Sequence, residues 1–247
     1  MVIKHHIVIL VTLAMIIGCT PMDEAVVRKT GSSRGMEEPA KLASAQGRTE
    51  ANPEIVLDPS MQSFIREHGA AIRRYAELYG FDWRLILSMV KQESGFTSDA
   101  LSHKGALGLM QIMPLTGEQL AKSLELEGTS LPEDNLRAGV YYLKTLYDLF
   151  EGVGEPDRIK LALAAYNAGI GRVYDAQELA AYLHDNPGQW QAIRDALPLL
   201  SKRFYTLHKN VWEQEKPKAG WFGNAKETIA YVERVIDKYD EYRLVLN

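Results

Sequence analysis

A chain of 247 residues with a formal net charge of −4 at pH 7 has no bulk positive field, which argues against nucleic acid as a partner. Its hydrophobic content of 46% and charged content of 24% describe a mostly globular chain with one good core and room for a small second lobe. A single cysteine, Cys19, excludes an intramolecular disulfide.

The first nineteen residues differ from the rest. Lys4 precedes a charge-free run from Ile7 to Ile17, which stops at Gly18-Cys19. A basic start, a short apolar core and a small residue before the break describe a secretory signal peptide over residues 1–18, too short to span a bilayer. The stretch resembles the lipobox of bacterial lipoproteins, which implies that Cys19 is lipidated and becomes the mature N-terminus. The alternative is an incidental thiol. Thr20 follows the cysteine where Asp would signal retention, and the resemblance then implies the outer membrane. Residues 19–56 are rich in Ser, Gly, Ala, Glu, Lys and Arg with no helical stripe. They read as a flexible tether, or equally as an arm that packs on the domain.

The folded part is expected over residues 57–247, from Leu57-Asp58-Pro59-Ser60. Phe64, Ile65, Ile72, Tyr75, Leu78 and Tyr79 give an amphipathic helix ending at Gly80. Asp82 then caps a helix in which Ile86, Met89, Val90 and Glu93 share one face. Glu93 thus extends an apolar stripe. Partial desolvation there favours its neutral form, the state that donates a proton to a glycosidic oxygen. The alternative is a solvated carboxylate at a helix end, before Gly95.

A glycine-punctuated loop follows, and any β structure is expected to be at most a short hairpin near residues 100–112. Thr116 is expected to cap a helix over Gly117 to Leu126, and a longer helix runs from Asn135 to Phe150, closed by Gly152 and Gly154. Its stripe is Leu136, Val140, Leu143, Leu146, Tyr147 and Phe150. Asp157 opens an alanine-rich helix that should lie deep. At its end Tyr166 reads as a groove residue or a core aromatic, and Asn167 as a groove residue or a helix C-cap. Residues 185–202 are partly helical. The last helix spans about Asn224 to Tyr242 on a stripe of Ile229, Val232, Val235, Ile236 and Tyr239. No strand pairs or βαβ alternations occur, so the fold class is mainly α.

Glu93-Ser94, Ser102, Gly105-Ala106, Gly108-Leu109-Met110-Gln111 and Pro114 together resemble the signature of the lytic transglycosylase domain with the goose-lysozyme-like fold. Ala165-Tyr166-Asn167-Ala168-Gly169 and Glu227-Thr228-Ile229-Ala230-Tyr231-Val232 resemble two further patches of that family, and residues 185–202 resemble its membrane-bound F branch. The resemblance covers about residues 60–242. It implies a lysozyme-like helical domain in which Glu93 is the catalytic acid and base. Ser102, Met110, Gln111, Tyr166 and Asn167 position the glycan, and Tyr231 holds Glu93, the alternative for Tyr231 being ordinary packing. The F branch also carries an N-terminal solute-binding-like module, for which this length leaves no room.

The implied reaction is cleavage of peptidoglycan glycan strands, with 1,6-anhydromuramoyl ends, at the periplasmic face of the envelope. No cofactor is implied. The histidines His68, His103, His184 and His208 are scattered without ligand spacing, so no metal site is expected. Ser94 and Ser102 have no His at a spacing that suggests a triad. Two rivals stand beside this reading. One is a goose-type lysozyme hydrolase, for which Asp99 or Glu118 would place water. The other is a non-catalytic peptidoglycan-binding lipoprotein.

Overall fold

A computed structural model describes residues 58–246. The expectations for the signal peptide, Cys19 and the tether lie outside the described residues.

Local signals set the first two helices. Asp58 accepts the Ser60 N–H at 3.1 Å and Pro59 occupies the first turn of α1 (Pro59–Tyr79), which buries Met61, Phe64, Ile72, Tyr75 and Ala76. Gly80 stops it in the left-handed region at φ 76°, donating its N–H to the last carbonyls. Two residues later Asp82 caps α2 (Trp83–Ser94) by accepting the Arg84 N–H at 2.9 Å. Leu85 to Val90 are all buried, and Gly95, at φ 58°, ends the helix just after Glu93 and Ser94. So short a link folds α2 back against α1.

The remaining helices are α3 (Pro114–Leu124), α4 (Pro132–Asp148), α5 (Asp157–Ala168), α6 (Ile170–Tyr182), α7 (Trp190–Ala196), α8 (Tyr205–Val211) and α9 (Ala225–Val245). Two 3₁₀ turns, Leu197–Leu200 and Lys202–Phe204, join α7 to α8. Helix α5 is the axis of the fold. Leu161, Ala162, Leu163, Ala164 and Ala165 are fully buried, and α4, α6, α7 and α9 pack around them. The alanines let neighbouring backbones approach, while each buried leucine contributes about 1.5–3 kcal/mol relative to exposure. Helix α9 lies mainly against α2 and α5.

Several boundaries differ from the sequence expectation. Helix α3 starts at Pro114, whose fixed φ and missing N–H suit a first turn, so Thr116 lies inside the helix instead of capping it. Pro132 likewise starts α4 early and leaves Asn135 in its first turn, fully buried. Helix α4 ends at Leu149 in right-handed conformation; Gly152, at φ 91°, turns the chain only afterwards. Gly169, at φ 87°, breaks the chain between α5 and α6, and α6 has no counterpart in the sequence reading. The buried side of α9 is Ala225, Thr228, Tyr231, Val232, Val235 and Tyr242, with Ile229, Ile236 and Tyr239 only partly covered. The β structure near residues 100–112 stays within the expected limit of a short hairpin: two isolated antiparallel bridges form, Leu101 with Leu107 and Leu107 with Ile112, and no strand among the described residues.

Candidate active site

Glu93 stands in the last turn of α2, and α9 crosses beside it. The Tyr231 hydroxyl donates to Glu93 Oε1 at 2.6 Å, a bond between residues 138 apart in the chain. Glu93 retains some exposed surface, but its carboxyl is enclosed by protein, and burial pushes its pKa up to about 7. The Tyr231 hydroxyl acts against that rise by favouring the ionised form. The carboxyl therefore holds its proton to near neutrality and can release or regain it there.

Two phenols share this environment. Burial raises the pKa of both Tyr231 and Tyr166 well above the ordinary tyrosine value, and the Glu93 charge raises both further. Both rings stay neutral donors beside the carboxyl. Tyr166 donates its hydroxyl to the Met110 carbonyl at 2.9 Å, and Tyr142 packs on its ring at 5.2 Å. Asn167, in the last turn of α5, accepts the Thr228 hydroxyl at 2.8 Å. Thr228 is one turn before Tyr231 on α9. The ends of α2 and α5 and the start of α9 thus converge.

The loop after α2 is anchored by a residue the sequence analysis did not select. Asn135 accepts the Met110 N–H at 2.8 Å and donates to the Leu107 and Thr129 carbonyls, each at 3.0 Å. Glycine is required beside it: a Cβ on Gly108 would lie 2.6 Å from Asn135 Cγ, at φ 76°. On the other side of the loop, a Cβ on Gly139 would meet Met110 Cβ at 2.5 Å. Thr228 and Tyr142 were also missed. No local pattern marks any of the three, because each acts on a partner distant in sequence.

The other expected residues separate by role. Met110 is fully buried, so its side chain offers no surface to a substrate; it serves through its backbone, bonded to Asn135 and Tyr166. Gln111, half-buried at φ 46°, donates its amide to the Ala100 and Gly108 carbonyls. Ser102 keeps to its own loop, where its hydroxyl oxygen accepts the Ala106 N–H at 2.9 Å. Asp99 and Glu118 are exposed. No group of three or more potential metal ligands forms among the described residues.

The model of the family described as "Transglycosylase SLT domain" matches residues 70–187. These residues belong to the SLT transglycosylase family. The SLT span contains Glu93, Ser102, Met110, Gln111, Tyr166 and Asn167, whereas Tyr231 lies beyond it. Among curated proteins, membrane-bound lytic murein transglycosylase F of Desulfosudis oleivorans is 35% identical over 170 residues, which cover 68% of this chain and 35% of that one. The protein of the same name from Alcanivorax borkumensis is 32% identical over 189 residues, 72% of this chain and 37% of that one. The chain therefore spans about a third of the length of the curated relatives it matches.

Among solved structures, an inactive Glu-to-Gln mutant of lytic transglycosylase Slt from Pseudomonas aeruginosa superimposes with a TM-score of 0.52 and 28% identity, covering 74% of this chain and 25% of that one. The 70 kDa soluble lytic transglycosylase of Escherichia coli gives 0.51 and 25%, over 73% of this chain and 24% of that one. The SLT resemblance read from the motifs and the mainly helical, lysozyme-like fold are both borne out.

Proposed function

We propose that this protein is a lytic transglycosylase that cleaves the β-1,4 bond between N-acetylmuramic acid and N-acetylglucosamine in peptidoglycan, with Glu93 as its single acid and base. The observation that carries the reading is the enclosed Glu93 carboxyl, titrating near 7 and hydrogen-bonded to Tyr231. Most glycosidases employ two carboxylates. Here burial and one phenol govern the charge on Glu93, and Asp99 and Glu118 are exposed. This favours one-acid chemistry over the hydrolytic rival.

Protonated Glu93 gives its proton to the glycosidic oxygen as the bond from that oxygen to the muramoyl anomeric carbon breaks. The substrate's own 2-acetamido group stabilises the positive anomeric centre. Glu93, now a carboxylate, takes the proton of the 6-hydroxyl on the same sugar, and that oxygen bonds to the anomeric carbon. The product is a 1,6-anhydromuramoyl end and no water is consumed. Holding both reacting groups on one sugar supplies the entropic advantage of an intramolecular attack. Tyr231 orients the acid. Tyr166, Asn167, Ser102 and Gln111 shape the strand's seat, Met110 through its backbone.

The segment before the described residues gives the cellular setting. Residues 1–18 are a lipoprotein signal peptide, Cys19 is lipidated, residues 19–56 are a tether, and 57–247 form the catalytic domain. The relatives' names include "membrane-bound", and no helix among the described residues is long and apolar enough to cross a membrane. A lipid anchor reconciles these facts. The enzyme then works at the periplasmic face of the envelope, on the outer membrane.

Purified peptidoglycan digested with the protein and weighed by mass spectrometry tests the chemistry. Muropeptides lighter by one water than hydrolytic products are expected. Reducing-end products would replace the reading with a lysozyme, and binding without products would replace it with a wall-binding lipoprotein.

A further inference from the structure

The loop before α9 carries an aromatic side chain that the chemistry above does not use. Trp221 is 43% exposed, yet the loop holding it is tied down on both sides. Its neighbour Phe222 is buried, donates its N–H to the Leu200 carbonyl at 3.0 Å, and lies under the Arg172 guanidinium at 5.1 Å. Arg172 in turn donates to the carbonyl of Ala168, next to Asn167, at 3.0 Å. On the other side, α9 begins four residues after Trp221, and Thr228 in its first turn donates to Asn167 at 2.8 Å. Both attachments lead to the same elbow between α5 and α6. Trp221 therefore sits in a loop that is joined on both sides to that elbow.

The ring is also steadied. The Lys202 ammonium lies 5.0 Å from the Trp221 ring centroid, and Lys202 makes no ion pair with any described residue. A restrained, half-exposed indole is apolar surface kept in water with its orientation already set. Pyranose rings carry one face of C–H bonds that stacks on such a surface, at little entropic cost to a ring that is already held. A free ammonium beside it faces the carboxylates that muramoyl substituents carry.

We propose that Trp221, with Lys202 beside it, is a remote subsite that stacks a sugar of the glycan strand away from the scissile bond. This rests on the reading of peptidoglycan glycan as the substrate. Binding energy from a non-reacting part of a substrate draws the strand into register over Glu93. The subsite thus makes the enzyme prefer long strands over short ones.

The test uses the full chain with Glu93→Gln, so that strands are bound and not cut, and calorimetry on glycan oligomers of increasing length. Adding Trp221→Ala should weaken long-strand affinity about tenfold and leave the shortest ligand unchanged, with Trp221→Phe recovering most of the loss. Lys202→Ala should weaken strands that contain muramoyl carboxylates and leave uncharged N-acetylglucosamine oligomers unaffected. Equal affinity of the Trp221→Ala and parent proteins for long strands would overturn the subsite and leave the substrate reading intact. Loss of binding to anionic phospholipid vesicles in Trp221→Ala, with glycan affinity unchanged, would overturn it in favour of a membrane contact. No binding to glycan of any length by the Glu93→Gln parent would overturn the substrate reading and this subsite together.

Discussion

At Glu93, two opposing effects meet on one carboxyl. Burial raises its pKa, the Tyr231 hydroxyl lowers it, and the balance stands at about 7. An acid with that value is about half protonated at neutral pH, and its conjugate base is strong enough to take a hydroxyl proton as the new bond forms. Glu93→Gln keeps the shape and can still accept the Tyr231 hydrogen bond, but has no proton to transfer. Cleavage of purified sacculi should fall at least a hundredfold, the scale of general acid–base catalysis, with an unchanged circular dichroism spectrum. Tyr231→Phe removes the contact that favours the ionised form. The alkaline limb of the pH–rate profile should move to higher pH, and kcat should fall about tenfold, as for loss of a hydrogen bond to a charged group. An unmoved limb would mean that the hydroxyl does not act on the acid.

Among the elements, the loop between α2 and α3 depends on α4. Asn135 holds it through three hydrogen bonds at full burial. Asn135→Ala would strand the Met110 N–H and the Thr129 carbonyl, each costing about 1–3 kcal/mol when left unsatisfied, and would leave the Leu107 carbonyl only the Ile112 N–H. A loss of about 3 kcal/mol in urea denaturation is expected, together with a fall in kcat, since Tyr166 hangs from the same Met110 backbone. Gly108→Ala should behave alike, because it needs both a positive φ and the space that Asn135 fills. The sequence shows this loop's glycines but not their reason. Asn135 looks like an ordinary polar residue until Pro132 starts α4 early and turns it inward. Helices α1 and α2 were legible because Gly80 and Asp82 are strong local stop and start signals. Helix α6 was not, because the glycine at 169 reads as an ending, and only packing on α5 and α7 shows that the chain continues helically.

For the whole molecule, an acid with a raised pKa is a burden on stability. Unfolded, Glu93 ionises near 4.5; folded, near 7. Between these values the unfolded state binds fewer protons, so stability falls as pH rises and the penalty is complete above 7. At pH 8 the cost is about 3 kcal/mol at most, from 1.36 kcal/mol per unit. Glu93→Gln should therefore be more stable than the wild type at pH 8 and equal to it at pH 4, measured by chemical denaturation at both. A wild-type curve parallel to that of the variant would show the carboxyl to be ordinary. The main catalytic candidate was legible at this scale because its motif lies in one short stretch. Its contact with Tyr231 was legible only through the family resemblance, because α9, which makes it, arrives after every other described element.

That order has a consequence for timing. During synthesis Glu93 emerges long before Tyr231, and until α9 docks its carboxyl lacks that hydrogen-bond partner and the cover of that helix. Under the proposed function, the acid is therefore not set while the chain is still being made. On that reading, a chain trimmed from its C-terminal end loses the partner of Glu93 before it loses the rest of the fold.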